Sequence, residues 1–513
     1  MGFTVGFDVG TSSLKGVLVG ENGEVVARAA CDYAVSTPRP GWSEQHPDVW
    51  WNALLAVSGE LTALGRPISA VGLSGQMHGS VFLDKDGLPL CPAILWNDQR
   101  TGAECQEIME RTQGRIVEWT LNPPRTAFTA TKILWVRRHR PEVYGATAHV
   151  VLPKDYVRYR LSETFATEVT DASGTCLFDV RHRRWSAEAL DALDIPERWM
   201  APATESPDIS AGISAEAASA TGLAAGTPIV GGGADQATAA IGNGIVAPGA
   251  LSITLGTSGV VYAQIPEVLF DPSGCFHTFC HAVPGTWQVM AGVLSAGGSF
   301  SWYRDVVGVP ESEAAQVRGE DPFTAICRGV EAVPPGAEGL VFLPYLTGER
   351  SPHADPEARG GWFGLTTRHG RPHLARAVME GVSFALRDLV EAALGLGVEA
   401  REIRVAGGGA RSPTWLRILA DVLGRTVVPT TTPDASAYGA AALAMAAVTG
   451  TDVATLAGRW VGTGRHVSPR PAAAALYERQ YEVFRALYPA TRSHMHRLAA
   501  LERAPEPQEA PGS

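Results

Sequence analysis

The chain has 513 residues, a length that suits about two to four domains with sizeable cores. A net charge of −11 argues against broad binding to nucleic acid or to anionic membranes, and the 45% of hydrophobic residues is ordinary for a globular protein. Seven cysteines without regular spacing fit a reducing cytoplasm better than a disulfide framework. We expect a cytoplasmic protein, because the N-terminus carries no signal-peptide pattern and the most apolar stretch is too short to span a bilayer.

Strands and helices alternate along the predicted chain. Residues 3–30 predict strand, turn and strand, with a second turn at Asn22-Gly23. A helix is predicted over 48–64 and a buried strand over 68–73. This alternation indicates α/β architecture with a largely parallel sheet, in which ligands bind at the carboxyl ends of the strands.

The rest of the chain predicts a division into two domains. It predicts, in order, a surface connection at 201–226, strands at 228–230 and 401–406, and helices at 415–423 and 435–448. We place a domain boundary near residue 247, which gives an N-terminal domain of residues 1–246 and a C-terminal domain of residues 247–501. The tail, 502–513, contains three Pro and three Glu and is predicted to be disordered.

The triplet Gly-Thr-Ser occurs at 10–12 and again at 256–258, each time between runs rich in Val, Leu and Ile. Each copy predicts a strand, a tight turn and a second strand. Backbone N–H groups and small hydroxyls at such a turn suit a phosphate, so the pair predicts a duplicated fold that holds one polyphosphate from two sides. A chance match of three common turn residues is the alternative reading.

The two copies differ in the residue two positions before the glycine. The first copy has Asp8 there, and the second has Thr254. A carboxylate beside a phosphate is useful only if a cation stands between them, so Asp8 predicts a Mg²⁺ site, reached through water. The alternative is an ordinary turn aspartate.

Asp235 is the sharpest candidate for chemistry. It follows the strand 228–230 and the glycine run 231–233, and a helical pattern begins at or near it. A helix N-terminus favours a carboxylate, and a simple N-cap is the competing interpretation. Three preceding glycines are more than a cap requires and suit the close approach of a ligand.

Two further strings place dense hydrogen-bonding groups after predicted strands, which suits a polyol or sugar. One contains Met77 and His78, and the other contains Asn97 and Asp98. The glycine run of residues 407–409, which leads to Ser412 and a helix, could let an adenine or ribose lie against the backbone.

Together these strings resemble the FGGY family of carbohydrate kinases, within the actin-like, hexokinase and Hsp70 superfamily of ATPases. The resemblance covers roughly residues 3–490. The matching strings in chain order are Gly6-Phe-Asp-Val-Gly-Thr-Ser-Ser, Trp42-Ser-Glu-Gln-His-Pro, Gly75-Gln-Met-His-Gly, Ile94-Leu-Trp-Asn-Asp, Lys132-Ile-Leu-Trp, Leu152-Pro-Lys-Asp-Tyr, Gly233-Ala-Asp-Gln, Leu255-Gly-Thr-Ser-Gly, Leu343-Pro-Tyr-Leu-Thr-Gly-Glu-Arg-Ser-Pro-His and Gly407-Gly-Gly-Ala-Arg-Ser.

The resemblance implies a duplicated actin-like (ribonuclease H-like) α/β fold, with two domains around a central cleft. It implies ATP, bound mainly by the C-terminal domain, and a small sugar, D-xylulose, bound by the N-terminal one, with Mg²⁺ as a second cofactor. It implies no nucleic-acid or membrane partner. The sequence does not fix the oligomeric state, and a homodimer is one state that it allows.

The resemblance also implies a role for each matching residue. Asp235 would be the catalytic base and, with Asp8, would face the metal. The sugar would be bound by Met77, His78, Asn97, Asp98 and Gln236. The nucleotide and its phosphates would be bound by Thr11, Ser12, Lys15, Gly256, Thr257, Ser258, Gly297, Gly408, Gly409 and Ser412.

The acceptor sugar stays open at this point. Gln-Met-His-Gly followed by Trp-Asn-Asp favours D-xylulose over glycerol or L-ribulose. Family members that act on xylulose often carry Asn after the catalytic aspartate, whereas this chain has Gln236, as glycerol kinases do. Another sugar kinase, acting on L-ribulose, glycerol or gluconate, is therefore one alternative, and a non-kinase ATPase of the same superfamily is another.

Overall fold

A computed structural model describes residues 2–502 of the chain. These residues form two compact units. The first contains residues 2–248, 263–289 and 431–462, and the second contains the remainder. The predicted disordered tail lies outside the described residues, except for Glu502, which ends the last helix. The division of the sequence at residue 247 stays a prediction.

The first unit is built on a seven-stranded sheet. Its strands in spatial order are Ile209–Gly212, Pro228–Val230, Ile68–Gly75, Phe3–Val9, Ser13–Gly20 and Val25–Asp32, with Gly233–Ala234 also paired to Ile68–Gly75.

This sheet is mixed, not largely parallel as predicted. The strand Phe3–Val9 pairs parallel with Ile68–Gly75 but antiparallel with Ser13–Gly20, which in turn pairs antiparallel with Val25–Asp32. The reason is the turns at 10–12 and 22–23, because a tight turn can join only antiparallel strands.

Helices cover the sheet of the first unit. Asp48–Thr62 buries Trp50, Leu54 and Val57 in the core of this unit. The other helices are Gly102–Arg111, Ile116–Thr120, Thr129–His139, Pro141–Ala146, Pro153–Ser162, Val169–Ala172, Ala187–Ala192, Ala215–Thr221, Asp235–Gly242, Ala435–Thr449 and Val453–Trp460. Short strands are Glu44–Gln45, Val81–Leu83, Ala93–Ile94, His149–Val151, Thr167–Glu168, Phe178–Asp179, Arg184–Trp185 and Ala203–Thr204.

The predicted surface connection at 201–226 contains regular structure. It includes the edge strand Ile209–Gly212 and the helix Ala215–Thr221. Ser214 caps this helix by accepting a hydrogen bond from the Ala217 N–H, and Gly222 ends it in the left-handed conformation. The Ala- and Ser-rich composition led to the prediction of a surface connection, although Ser214 and Gly222 are residue types that are common at helix ends.

The buried helix Ala435–Thr449 packs very closely on the sheet of the first unit. A β-carbon on Gly72 would run into the carbonyl oxygen of Ala440, and a β-carbon on Gly6 would run into that of Ala437. The glycines therefore let helix and strand backbones touch.

Gly72→Ala is expected to destabilise the protein by about 1–3 kcal/mol, because a backbone carbonyl cannot move aside for the added methyl. Gly59→Ala is the control, since Gly59 lies in the helix Asp48–Thr62 with open space around it. Urea unfolding should show a lower midpoint for Gly72→Ala alone, and equal midpoints for the two variants would contradict this packing.

The second unit is built on a sheet. Its strands lie side by side in the order Gly259–Ile265, Gly249–Leu255, Ala400–Ala406 and Val427–Pro429. Two further strands of the chain are His277–Cys280 and Trp287–Val293. Val341–Leu343 pairs with Gly361–Phe363. The helices of this unit are Gly297–Val306, Val309–Val317, Pro322–Ala332, Arg371–Gly395, Pro413–Leu423 and Pro471–Glu502.

Candidate active site

The first Gly-Thr-Ser turn joins two antiparallel strands, as predicted. The Gly10 N–H donates to the carbonyl of Ser13 at 3.0 Å and closes the turn. Thr11 is half-buried, and its hydroxyl accepts a hydrogen bond from the indole N–H of Trp96 at 2.9 Å. Ser12 is exposed at the tip of the turn.

Asp8 and Lys15 are cross-strand neighbours next to this turn. Asp8 is half-buried, and burial raises the pKa of its carboxyl above the ordinary value, against the opposing effects of a Ser74 hydrogen bond and the Lys15 charge. The Lys15 ammonium lies 3.1 Å from the carboxylate of Asp434. Lys15 is itself exposed, so this cation is available to a phosphate.

Asp235 is the first residue of the helix Asp235–Gly242, as predicted. Its Oδ1 accepts a hydrogen bond from the backbone N–H of the half-buried Gln236 at 2.8 Å. Burial, followed by the negative charge of Asp8, raises the pKa of Asp235 to about 7, while hydrogen bonds from Gln236 oppose the rise. A carboxyl with a pKa near neutrality is suited to exchange a proton with a substrate.

Two hydroxyls connect Asp8 to the helix that begins at Asp235. The Ser74 hydroxyl donates to Asp8 Oδ1 at 2.8 Å and lies 2.8 Å from the Thr238 hydroxyl. Thr238 is 3.1 Å from the carbonyl oxygens of both Ala234 and Asp235. These buried hydrogen bonds connect the strand that carries Asp8 to the helix that carries Asp235, and the sequence did not predict them.

A buried charge cluster supports the glycine run before Asp235. The ammonium of Lys154 lies 2.8 Å from Asp155, 3.1 Å from Asp171 and 3.4 Å from Glu168. Burial alone would lower the pKa of Lys154, but the three carboxylates raise it above the ordinary value. The guanidinium of Arg158, one helical turn along, donates to the carbonyl of Val230 at 2.8 Å and to that of Gly231 at 2.5 Å. Arg158, two residues after the string at 152–156, therefore holds the backbone that leads to Asp235.

Met77 and His78 follow the strand Ile68–Gly75 in the same unit. Met77 is buried and His78 is half-buried. The imidazole of His78 packs against Phe128 and Phe279, with ring centres 4.8 and 6.1 Å away. Apolar rings beside a hydrogen-bonding side chain suit a sugar, which has apolar C–H faces and polar edges.

The second Gly-Thr-Ser turn, in the second unit, is also a hairpin. Gly256 N–H donates to the carbonyl of Ser258 at 3.1 Å. The N-terminal amides of the helix Gly297–Val306 reach this turn, with the Gly297 N–H donating to the carbonyl of Gly256 at 2.8 Å. A β-carbon on Gly297 would stand 2.5 Å from that oxygen, so only glycine permits this approach.

A cavity of about 830 Å³ opens beside this turn. This volume is in the range of sites for cofactor-sized molecules. Six predicted nucleotide residues line the cavity, namely Gly256, Thr257, Gly297, Gly408, Gly409 and Ser412. Ser258 is half-buried in the turn but is outside the lining.

Sequence reasoning missed the rest of the cavity wall. Its aromatic part is formed by Phe300, Phe323 and Trp415, and its acidic part by Asp321 and Glu331. The Glu331 carboxylate accepts a hydrogen bond from Thr414 at 2.5 Å. These residues carry no motif. Phe323 and Glu331 lie in the helix Pro322–Ala332 and Trp415 begins the predicted helix at 415–423, but helical periodicity does not indicate a ligand.

Comparison with known proteins identifies the family. The N-terminal domain of the FGGY family of carbohydrate kinases matches residues 3–242, and the C-terminal domain of that family matches residues 251–448. The chain belongs to this family. The resemblance drawn from the motifs is confirmed, and so are the α/β fold class and the assignment to the carbohydrate kinases.

Several relatives of this FGGY kinase are xylulose kinases. It is 39% identical over 450 residues to the xylulose kinase of Escherichia coli (strain K12), in an alignment that covers 86% of this chain and 90% of that protein. It is 36% identical over 514 residues to the xylulose kinase of Lactococcus lactis subsp. lactis (strain IL1403), in an alignment that covers 97% of this chain and 99% of that protein. A solved structure described as a xyloylose kinase from Brucella ovis has a TM-score of 0.88 at 36% identity and covers 96% and 99%.

Asp98 of this FGGY kinase does not occupy a ligand-facing position. It is fully buried, and its carboxylate accepts hydrogen bonds from Arg100 and from the Ser43 N–H at 2.6 Å. The Arg100 guanidinium in turn lies 3.6 Å from the ring centre of Trp42. Asp98 therefore holds an arginine, and we withdraw its predicted sugar contact. Asn97 is exposed.

Asp8 and Asp235 of this FGGY kinase offer oxygen ligands that Mg²⁺ prefers. Within residues 2–502, no group of three or more Asp, Glu, His or Cys side chains is placed to hold a metal. Two carboxylates still fit an ion that takes its remaining ligands from phosphates and water, which is how Mg²⁺ is usually bound.

None of the helices within residues 2–502 is long and apolar enough to cross a membrane.

Proposed function

We propose that the protein transfers the γ-phosphoryl group of ATP to D-xylulose, giving ADP and D-xylulose 5-phosphate. The observation that carries the chemistry is the start of a helix at Asp235 that buried hydroxyls of Ser74 and Thr238 connect to Asp8. The xylulose kinases of Escherichia coli and Lactococcus lactis support the choice of sugar.

Asp235 acts as the general base in this proposal. The sugar hydroxyl oxygen attacks the γ-phosphorus, the bond from that phosphorus to the β,γ-bridging oxygen breaks, and ADP leaves with the electron pair. The hydroxyl proton passes to the carboxylate of Asp235, which must stand within about 3 Å of it. Asp235 must therefore be ionised when the sugar binds.

Asp8 and Asp235 would hold Mg²⁺, and Lys15 would contact a phosphate oxygen. A bound Mg²⁺ ion would offset the negative charge of the phosphates. Asp434, which pairs with Lys15, would release it when a phosphate competes for the ammonium.

The 830 Å³ cavity of the second unit would take the nucleotide. The hydroxyl of Thr257, which lines the cavity, suits a phosphate oxygen, and the aromatic residues Phe300 and Trp415 suit a purine. Ser258, which lies in the same turn, keeps its predicted phosphate contact as part of this proposal.

Gly297→Ala is expected to raise the KM for ATP at least about tenfold, because the added methyl would push the helix away from the Gly256 turn. The KM for the sugar should stay within twofold of the wild-type value, about the usual scatter of such measurements. Gly395→Ala is the control, since Gly395 ends the helix Arg371–Gly395 with nothing near it. Steady-state kinetics with each substrate varied would decide, and an unchanged KM for ATP would contradict the nucleotide site.

The sugar is the least constrained part of the proposal. Gln236 is the observation that favours another acceptor, such as glycerol, L-ribulose or gluconate. ADP release should be measured with D-xylulose, L-ribulose, D-ribulose, glycerol and gluconate under identical conditions. We expect the highest kcat/KM with D-xylulose, and a higher value with any other acceptor would replace it in the proposal.

A further inference from the structure

Gly174 is next to His78 and Met77, the two side chains that are proposed to contact the sugar. It belongs to a short 3-10 turn, Ser173–Thr175, and is buried. A β-carbon at this position would stand 2.6 Å from Nδ1 of His78, 2.7 Å from its Cε1 and 3.3 Å from Cε of Met77. The first two distances are shorter than van der Waals contact, so any side chain at residue 174 would displace the imidazole.

The backbone of Gly174 also determines the protonation of His78. Its carbonyl oxygen is 2.7 Å from Nδ1 of His78. A carbonyl oxygen only accepts hydrogen bonds, so Nδ1 must carry the proton. In the neutral ring Nε2 is then the nitrogen with a lone pair, which is the atom able to accept a hydrogen bond from a sugar hydroxyl.

The main chain of His78 is anchored from another direction. Its φ of 67° lies in the left-handed region, which a residue with a side chain adopts only when its surroundings hold it there. The carbonyl oxygen of His78 accepts hydrogen bonds from the Lys132 ammonium at 2.8 Å and from the Thr129 hydroxyl at 3.2 Å. Lys132 is fully buried and also donates to the carbonyl of Ala127 at 2.6 Å.

We propose that Gly174 is a positioning residue for sugar recognition. Its carbonyl holds His78 in the tautomer that accepts a hydrogen bond at Nε2, and its lack of a side chain leaves room for the His78 ring and the Met77 thioether. Lys132 completes the arrangement by anchoring the His78 backbone. This inference rests on the proposed sugar-binding role of His78 and adds the residue that sets its orientation and its hydrogen-bonding character.

The test compares Gly174→Ala, His78→Ala and the double variant. Gly145→Ala is the matched control, because Gly145 is in a helix of the same unit with open space around it. We expect Gly174→Ala to raise the KM for the sugar about tenfold or more while the KM for ATP changes less than about twofold. Gly174→Ala should have a much smaller effect when His78 is already alanine, because the clashing ring is gone and only the 3.3 Å contact with Met77 remains.

The outcomes separate this inference from the proposed function. If His78→Ala leaves the KM for the sugar unchanged, the proposed sugar site itself is wrong. If His78→Ala raises that KM but Gly174→Ala does not, the site stands and the positioning role of Gly174 is overturned. Additive effects in the double variant would also overturn it, because they would show that Gly174 acts independently of His78.

A second measurement uses the wild-type protein and does not depend on how well a variant folds. Nitrogen-15 NMR of histidine-labelled protein distinguishes the two imidazole tautomers, and the His78→Gln spectrum assigns the signal among the 13 histidines. We expect His78 to show a protonated Nδ1 and an unprotonated Nε2 in the neutral ring. A neutral ring protonated at Nε2 would contradict the proposal.

Discussion

Asp235→Asn should lower kcat by about two to four orders of magnitude while the sugar still binds. Asparagine has nearly the same shape and can still accept the hydrogen bond from the Gln236 N–H, but it cannot take a proton from the sugar hydroxyl. Steady-state kinetics give kcat, and isothermal calorimetry with the sugar gives its Kd. Near-normal turnover in this variant would remove Asp235 as the base.

The same substitution should stabilise the protein at high pH. Because the pKa of Asp235 is raised in the folded protein, the folded state binds more protons than the unfolded state between the two pKa values. The free energy of unfolding therefore falls as pH rises from the ordinary carboxyl pKa to about 7. Above pH 7 it stays lower, because the buried carboxylate is ionised. Asp235→Asn should unfold at a higher temperature than wild type at pH 8, whereas exposed Asp191→Asn should not.

Asp8→Asn should have the second-largest effect. Losing the carboxylate is expected to reduce kcat/KM by about 10–100-fold and to raise the Mg²⁺ concentration needed for half-maximal rate. The hydrogen bond from Ser74 can still reach an amide oxygen, so the local structure should persist. A rate and Mg²⁺ dependence equal to those of wild type would exclude a metal role for Asp8.

Asp8→Asn also tests the coupling between the two carboxyls through pH dependence. In the wild type, kcat/KM for the sugar should rise with pH through about 7 as Asp235 ionises. The charge of Asp8 is one cause of this high pKa, so its removal should move the midpoint to lower pH. Asp191→Asn is again the control and should leave the midpoint where it was.

The predictions that the structure bears out concern features close together in the sequence. Both Gly-Thr-Ser turns are hairpins, and the helix at Asp235 begins where the glycine run ends. Tight turns and the ends of strands and helices around glycines are determined by a few adjacent residues, which is why a single sequence reveals them.

Features that depend on distant segments were not accessible in this way. Gly174, Lys132 and Phe279 surround His78 but come from three separate parts of the chain. Periodicity shows that a helix has a buried face, but it does not show which segment that face meets. The helix Ala435–Thr449 was predicted as buried, yet nothing local indicated that it covers the strands that contain Gly6 and Gly72.

Asp98 shows why the residue type at the end of a strand does not by itself predict function. A carboxylate after a strand looks the same in sequence whether it faces a ligand or an arginine. Here Arg100, two residues later, takes up the carboxylate with both its guanidinium and its backbone N–H.

The central claim is that the γ-phosphoryl group of ATP is transferred to a sugar hydroxyl. Phosphorus-31 NMR of a mixture of the protein, ATP, Mg²⁺ and D-xylulose tests it directly, because it identifies the phosphorylated product. We predict a new phosphomonoester signal that grows in step with ADP and depends on D-xylulose. Inorganic phosphate as the only new product, formed at the same rate without the sugar, would contradict the account.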